Sequence, residues 1–159
     1  MQELLTFIVA SSTTVPKVRS PSATTIAVLP PVAKTFAGEQ PIFINDKNNI
    51  FAKILRKEIP CDKIYEDENF LFFKDIDPKA KIHVLGIPKV ECADFSDFVS
   101  KYDNNLVSQF FKKTEYVINL LGLNNSGYKI ISNSGLNGGQ EVPHFHIHIL
   151  GGEKLNFKL

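Results

Sequence analysis

The sequence is poor in cysteine, with two in 159 residues. Cys61 and Cys92 form no CxxC pair and have no histidine at metal-finger spacing, so a thiolate zinc site is excluded. Reduced thiols in a cytoplasmic protein are the favoured reading of such a pair. The chain also lacks an excess of either charge, since 18 Lys and Arg oppose 17 Asp and Glu for a net charge of +1. That balance supplies no general field for gripping nucleic acid or an anionic membrane, so any nucleotide has to be held by local groups. No run approaches the ~20 apolar residues of a membrane span. The most apolar early stretch, residues 4–10, is short and follows Gln2 and Glu3 rather than basic residues, unlike a secretory signal. No internal repeat is visible. A hydrophobic fraction of 43% and a charged fraction of 22% suit one globular domain with an appendage.

Composition changes near residue 45. Before it come Ser11–Ser12–Thr13–Thr14, Ser20–Pro21–Ser22 and Pro30–Pro31, with few charges and no sustained helical period. Residues 1–45 are therefore read as a flexible or extraneous segment, and residues 46–159 as the domain. A cleaved targeting peptide fits the segment less well, because Lys17 and Arg19 are meagre basic content.

Beyond residue 49 the patterning is dense. Ile50, Phe51, Ile54 and Leu55 share one face of a short helix that Pro60 stops. Residues 63–66, 70–74 and 82–87 read as strands separated by turn-prone segments. The spacing predicts a long helix over 104–121, with a stripe that includes Leu106, Val107, Phe110, Val117 and Ile118, capped by Gly122. Strands over 128–132 and 143–150 follow, with a glycine-rich loop between them. Five short strands with one long and one short helix predict an α+β fold with an antiparallel sheet.

Three of the four histidines, His144, His146 and His148, alternate in the last of these strands. Alternate strand residues share a face, so the rings form a row about 6.6 Å apart, with Phe145, Ile147 and Ile149 turned to the core. A zinc site is one use of such a row, but zinc also needs convergent geometry and often a carboxylate or thiolate. A strand whose polar face happens to be histidine-rich is another. The third is nucleophilic attack on phosphorus. Neutral imidazole is a nucleophile near pH 7, its tautomer is fixed by an acceptor on the other nitrogen, and flanking histidines handle protons. The preceding Ser134–Gly135–Leu136–Asn137–Gly138–Gly139–Gln140 segment suits a loop whose backbone N–H groups approach an anion.

Gly138–Gly139–Gln140–Glu141–Val142–Pro143–His144–Phe145–His146–Ile147–His148–Ile149–Leu150–Gly151–Gly152 resembles the signature of the histidine-triad (HIT) family, and within it the nucleotide-binding (Hint) branch. Residues 50–60, Phe73–Lys74–Asp75–Ile76–Asp77–Pro78 and His83–Val84–Leu85–Gly86–Ile87–Pro88–Lys89 resemble that branch's opening helix and middle strands. The resemblance spans about residues 49–152. It implies a HIT-like fold for residues 46–159, and hydrolysis of the P–N bond of purine nucleoside phosphoramidates through a nucleotidyl-histidine intermediate.

It also implies roles. His146 is the expected nucleophile, and His144 holds the backbone whose carbonyl orients it. His148 and His83 are expected near the phosphate oxygens and the proton path. Gly139, Gln140, Glu141 and Val142 embrace the phosphate, with Asn133 near ribose or phosphate. Asp75 is the expected ribose ligand, and Phe51, Ile54 and Ile76 are expected to sandwich the base. No metal or other cofactor is expected. The implied partners are a purine nucleotide, with an AMP or GMP moiety, and a second copy of the chain.

Two other functions stay open on the sequence. The branch that cleaves dinucleoside polyphosphates shares the triad but usually continues with proline and a basic residue, where this chain has Gly151–Gly152. A nucleotide-sensing interaction protein with residual activity is the non-enzymatic alternative. Nucleotidyl transferases of the superfamily carry glutamine at the position of His148, so hydrolysis is favoured over transfer.

Overall fold

The computed structural model describes residues 47–156. The segment expected over 1–45 lies outside them, as do residues 46 and 157–159 of the expected domain.

A six-residue helix, α1 (Ile50–Leu55), opens the described chain, and the Asn49 side chain caps it by accepting the Ala52 N–H at 2.9 Å. Three antiparallel strands follow: β1 (Lys63–Glu66), β2 (Phe70–Lys74) and β3 (Ile82–Pro88). Two helices come next, α2 (Phe95–Lys101) and α3 (Asn104–Leu120), and then β4 (Tyr128–Ile131) and β5 (Ile147–Gly151). The sheet order is β1-β2-β3-β5-β4, antiparallel throughout.

Burial on both sheet faces explains why β2 is apolar at four successive positions. Phe70 and Phe72 join Phe98 of α2 and Phe110, Val117 and Ile118 of α3 on one face. Leu71 and Phe73 join Phe51 of α1 and Leu85 and Ile87 of β3 on the other. His83 shares the α1 side with Leu85 and Ile87, because strand side chains alternate. β5, with His146 just before it, divides in the same way. Ile147 and Ile149 enter the helix-side core, leaving His146, His148 and Leu150 on the α1 side.

The α+β class and the five-stranded antiparallel sheet agree with expectation, as does the Gly122 cap. Gly122 takes φ +69°, the Gly122 N–H donates to Asn119 O at 3.0 Å, and the Leu123 N–H reaches Ile118 O at 3.1 Å. Two details differ. Helix α2 was not among the expected elements, so the domain has two short helices and one long one. Asp94 caps α2 by accepting the Asp97 N–H at 2.8 Å, and Asp97 returns a bond to the Ala93 N–H at 2.9 Å. The last strand begins at Ile147 rather than at residue 143. Pro143 has no N–H to give a ladder, the His144 N–H turns back to Val142 O at 2.8 Å, and the Phe145 N–H bonds Cys92 O at 2.9 Å.

Gly86 in β3 sits where a Cβ would meet Phe72 Cε1 at 2.4 Å and Ile147 Cγ1 at 3.1 Å. Phe72 is fully buried and has nowhere to move. Gly86→Ala is expected to lower the unfolding free energy by about 1–3 kcal/mol, the usual range for overpacking, read as a lower urea midpoint. An unchanged midpoint would contradict the close approach of β3 to the helix-side core.

Candidate active site

β3 and β5 are neighbours, with His83 opposite Leu150 and Leu85 opposite His148. His83 and His148 therefore lie on a diagonal of one sheet face, within reach of each other. Their ring centroids are 5.1 Å apart, and His83 Nε2 lies 2.9 Å from His148 Nδ1. The His146 ring meets His148 edge-on at 5.0 Å between centroids, and Phe51 meets it edge-on at 5.1 Å.

The hydrogen bonds assign the ring protons. A carbonyl only accepts, so His146 Nδ1, 2.7 Å from His144 O, carries the proton, and the lone pair of the neutral ring sits on Nε2. By the same logic His144 Nε2 donates to Pro88 O at 2.8 Å. The Ser132 hydroxyl donates to the carbonyl of His146 at 2.9 Å, holding the backbone of that residue. The Lys79 N–H donates to His83 Nδ1 at 3.2 Å, which places the His83 proton on Nε2, facing His148 Nδ1. His148 then carries its own proton on Nε2. Asp75 Oδ2 lies 3.4 Å from His83 Nε2 as a second acceptor, while Asp75 Oδ1 accepts the Asp77 N–H at 2.9 Å.

Burial pushes His83, His144, His146 and His148 all below the ordinary histidine value. Desolvation is the main cause at each ring, and Asp75 opposes it at His83. At His148, the neighbouring His146 and His83 add to burial and take the value down to about 4. All four rings are therefore neutral near pH 7, the state that both a nucleophile and its proton relay require.

A cavity of about 870 Å³ opens against these rings, between α1, the strand face and the 134–142 loop. Eleven of the expected site residues line it: His146, His148 and His83; Asp75, Asn133, Gly139, Glu141 and Val142; and Phe51, Ile54 and Ile76. Asn133 Nδ2 reaches Gly139 O at 3.4 Å, tying the end of β4 to the loop. In the loop, Gly135 and Gly139 take φ of +69° and +72°, backbone that side-chain-bearing residues seldom adopt. The N–H groups of Glu141 and Val142 have no hydrogen-bond partner among the described residues.

Two expected residues stand behind the cavity rather than in it. His144 is 3% exposed and acts through its carbonyl. Gln140 is buried, and its side chain is fully engaged inside the protein. Oε1 accepts the Gly135 N–H at 2.9 Å, and Nε2 donates to Ala93 O and Val142 O at 2.7 and 2.8 Å. Its side chain thus braces the loop. Ile76 is 99% exposed at the cavity's mouth, so unlike Phe51 it has no packed position against a base. Sequence reasoning missed Ser132, and also Ile131, which lines the cavity opposite His148. Strand alternation beside β5 was the available signal for Ile131.

Among the described residues, one group has the spacing of a metal site. The ligand atoms of Asp75, His83 and His148 lie within 4.8 Å of one another. The proton that the Lys79 N–H keeps on His83 Nε2 occupies the lone-pair direction a cation would need there.

The chain matches the family described as HIT domain over residues 56–155. An uncharacterized HIT-like protein of Rickettsia prowazekii is 46% identical over 110 residues, which are 69% of this chain and 92% of that protein. The purine nucleoside phosphoramidase of Escherichia coli is 36% identical over 109 residues, 69% of this chain and 91% of that enzyme. A solved HIT family hydrolase from Clostridium thermocellum has a TM-score of 0.63 at 36% identity, covering 71% of this chain and 97% of that one.

The buried rings make stability depend on pH. Each has a folded value below its unfolded one, so the unfolded chain takes up protons first. Their contribution is present above the unfolded value of about 6.5 and is lost as pH falls towards the folded values. A lower urea midpoint at pH 5 than at pH 7 is expected, while nitrogen NMR shows the His148 ring still neutral at pH 5. Titration of His148 near the ordinary value of about 6.5 would overturn the burial argument.

Proposed function

This chain belongs to the HIT domain family, and on that footing we propose that it is a phosphoramidase that hydrolyses the P–N bond of purine nucleoside phosphoramidates, including aminoacyl-adenylate or lysine-AMP type substrates. The observation that carries the reading is the tautomer of His146, whose Nδ1–H is held by His144 O so that the Nε2 lone pair is available in the cavity.

In the first step Nε2 of His146 attacks the α-phosphorus. The P–N bond breaks, and the amine leaves with the electron pair and takes up a proton. His148 Nε2–H serves that proton path in this reading, and the 2.9 Å contact with His83 supports it. In the second step water attacks the phosphorus of the nucleotidyl-histidine, His146 departs, and the nucleoside monophosphate is released. The amides of Glu141 and Val142 stabilise charge on the phosphoryl oxygens at fixed positions, without a cofactor. Asp75 accepts the ribose hydroxyls. Phe51 and Ile54 form the apolar wall for the base, with Ile50 and Phe73 beside them.

A symmetric homodimer is part of the same reading. Phe111, Tyr116 and Leu120 on α3 and Tyr128 and Ile130 on the edge strand β4 are all 40% exposed or more, apolar surface that pairing across a two-fold axis would cover. A cytoplasmic setting agrees with Cys61 and Cys92 being free thiols. No helix among the described residues is long and apolar enough to cross a membrane.

Release of amine from a fluorogenic adenosine phosphoramidate, with EDTA in excess, tests the chemistry. His146→Asn is expected to cut turnover by about a thousandfold or more while AMP still binds, as loss of a nucleophile does. Full activity in the variant, or loss of wild-type activity on chelation, would overturn the mechanism. For the assembly, sedimentation is expected to give twice the 17.8 kDa chain mass. A single species at 17.8 kDa in the micromolar range would remove the dimer.

A further inference from the structure

β2 ends at Lys74, so Asp75 opens the turn towards β3. The Asp75 N–H donates to His83 O at 3.0 Å, and Asp75 Oδ1 accepts the Asp77 N–H at 2.9 Å. These two bonds orient the carboxylate and leave Oδ2 over. Oδ2 lies 3.4 Å from His83 Nε2, on a side chain that is 16% exposed and lines the cavity. Lys79 of the same turn pairs with Asp77, and no ammonium pairs with Asp75 among the described residues. The charge of Asp75 therefore falls on His83 and on whatever enters the cavity.

His83 has one ring proton to give. The Lys79 N–H occupies Nδ1, which keeps that proton on Nε2. Two acceptors face it, His148 Nδ1 at 2.9 Å and the Asp75 carboxylate at 3.4 Å. The neutral ring is the nearer acceptor and the carboxylate the stronger one, so they compete. The outcome decides the state of His148. While its Nδ1 accepts from His83, the His148 proton stays on Nε2, the nitrogen turned away from His83 in a ring that lines the cavity. When His83 leans to the carboxylate, Nδ1 is released and the His148 proton is free to settle there, out of a substrate's reach.

We propose that Asp75 is a positioning residue for the proton path, through which the sugar controls the chemical step. Ribose hydroxyls that donate to Oδ2 take up its charge, give the His83 proton wholly to His148, and so hold the His148 proton on Nε2. The proposal rests on the phosphoramidase reading, in which Asp75 accepts the ribose hydroxyls, and goes beyond it. The sugar is then read in the rate of P–N cleavage as well as in binding. The cleavage itself is unchanged, and Asp75 neither takes nor gives a proton.

The test compares phosphoramidates of adenosine and of dideoxyadenosine, which lacks both ribose hydroxyls. Single-turnover release of the amine isolates the first step. For the wild type, its saturating rate is expected to fall about tenfold without the hydroxyls, part of the roughly hundredfold or more that a positioned proton donor contributes. A carboxylate that only binds sugar would weaken half-saturation and leave the saturating rate alone. Asp75→Asn keeps the side-chain shape and an oxygen for the Asp77 N–H but removes the charge, and an unchanged Tm shows that it folds. In this variant the two saturating rates are expected to converge. Nitrogen NMR adds a readout apart from turnover: saturating adenosine is expected to hold the His148 ring as the Nε2–H tautomer, and saturating dideoxyadenosine is not. Equal saturating rates in the wild type, an undiminished ratio in the variant, or the same His148 tautomer with both nucleosides overturns the proposal and leaves the phosphoramidase reading standing. Failure of both substrates with folded protein that binds AMP overturns that reading and the proposal with it.

Discussion

The hydrogen bond from His146 Nδ1 to the carbonyl of His144, 2.7 Å long, sets the terms for everything around it. It falls on a carbonyl that lies outside the strand, which begins at Ile147. In a regular strand from residue 143, successive carbonyls would be spent on neighbouring strands. Here Pro143 contributes no N–H, Phe145 gives its N–H to Cys92 O, and pairing with β3 starts only at Ile147. The His144 ring is then fixed from behind by Pro88 O, and the His146 carbonyl by Ser132. The break in the strand is therefore part of the site, since the acceptor for His146 Nδ1 lies in it.

Holding four histidines in a desolvated cluster costs free energy, and the rest of the fold offsets that cost. β2, β3 and β5 are covered on the helix side by Phe98, Phe110, Val117 and Phe145, so the apolar half of each strand is satisfied away from the chemistry. On the other side, α1 lays Phe51 against both His146 and Phe73. No buried side-chain nitrogen or oxygen among the described residues lacks a partner. Burial with full pairing gives neutral rings of defined tautomer, whereas burial without partners would simply destabilise the domain.

Much of this was legible in the residues, for physical reasons. Alternation in Phe145–His146–Ile147–His148–Ile149 places imidazoles and core residues on opposite faces whether or not residue 144 belongs to the strand, and so the triad's arrangement survives the error in the strand's start. α3 was legible because its stripe is long and ends on a glycine with the backbone the cap needs. α2 has only seven residues, too few for periodicity to speak. Its signal was the pair Asp94 and Asp97, which accept the Asp97 and Ala93 N–H groups, a local pattern outside any apolar stripe. The part Gln140 plays in the loop was not legible in the sequence. A glutamine beside an anion-binding loop reads as a ligand, and only the positions of Gly135, Ala93 and Val142 reveal it as a brace. Ile76 shows the converse, since an apolar residue between two aspartates reads as a wall but its exposure is set by a turn.

The proposed phosphate cradle needs no net positive charge on the chain, which carries +1. Backbone amides bind a phosphoryl group through dipoles that are fixed in direction and short in range, so they favour one oxyanion at one place. Lysines and arginines act further out and would hold diphosphates and longer chains as readily, releasing them slowly. Of the two lysines at the cavity, each is already neutralised by a carboxylate of the same rim. On the proposed reading attraction is thereby left to the loop amides, and the surroundings stay indifferent or repulsive to further negative charge. On that reading, a site arranged in this way gains discrimination through what it declines to attract, because additional phosphates would find no cation to meet them.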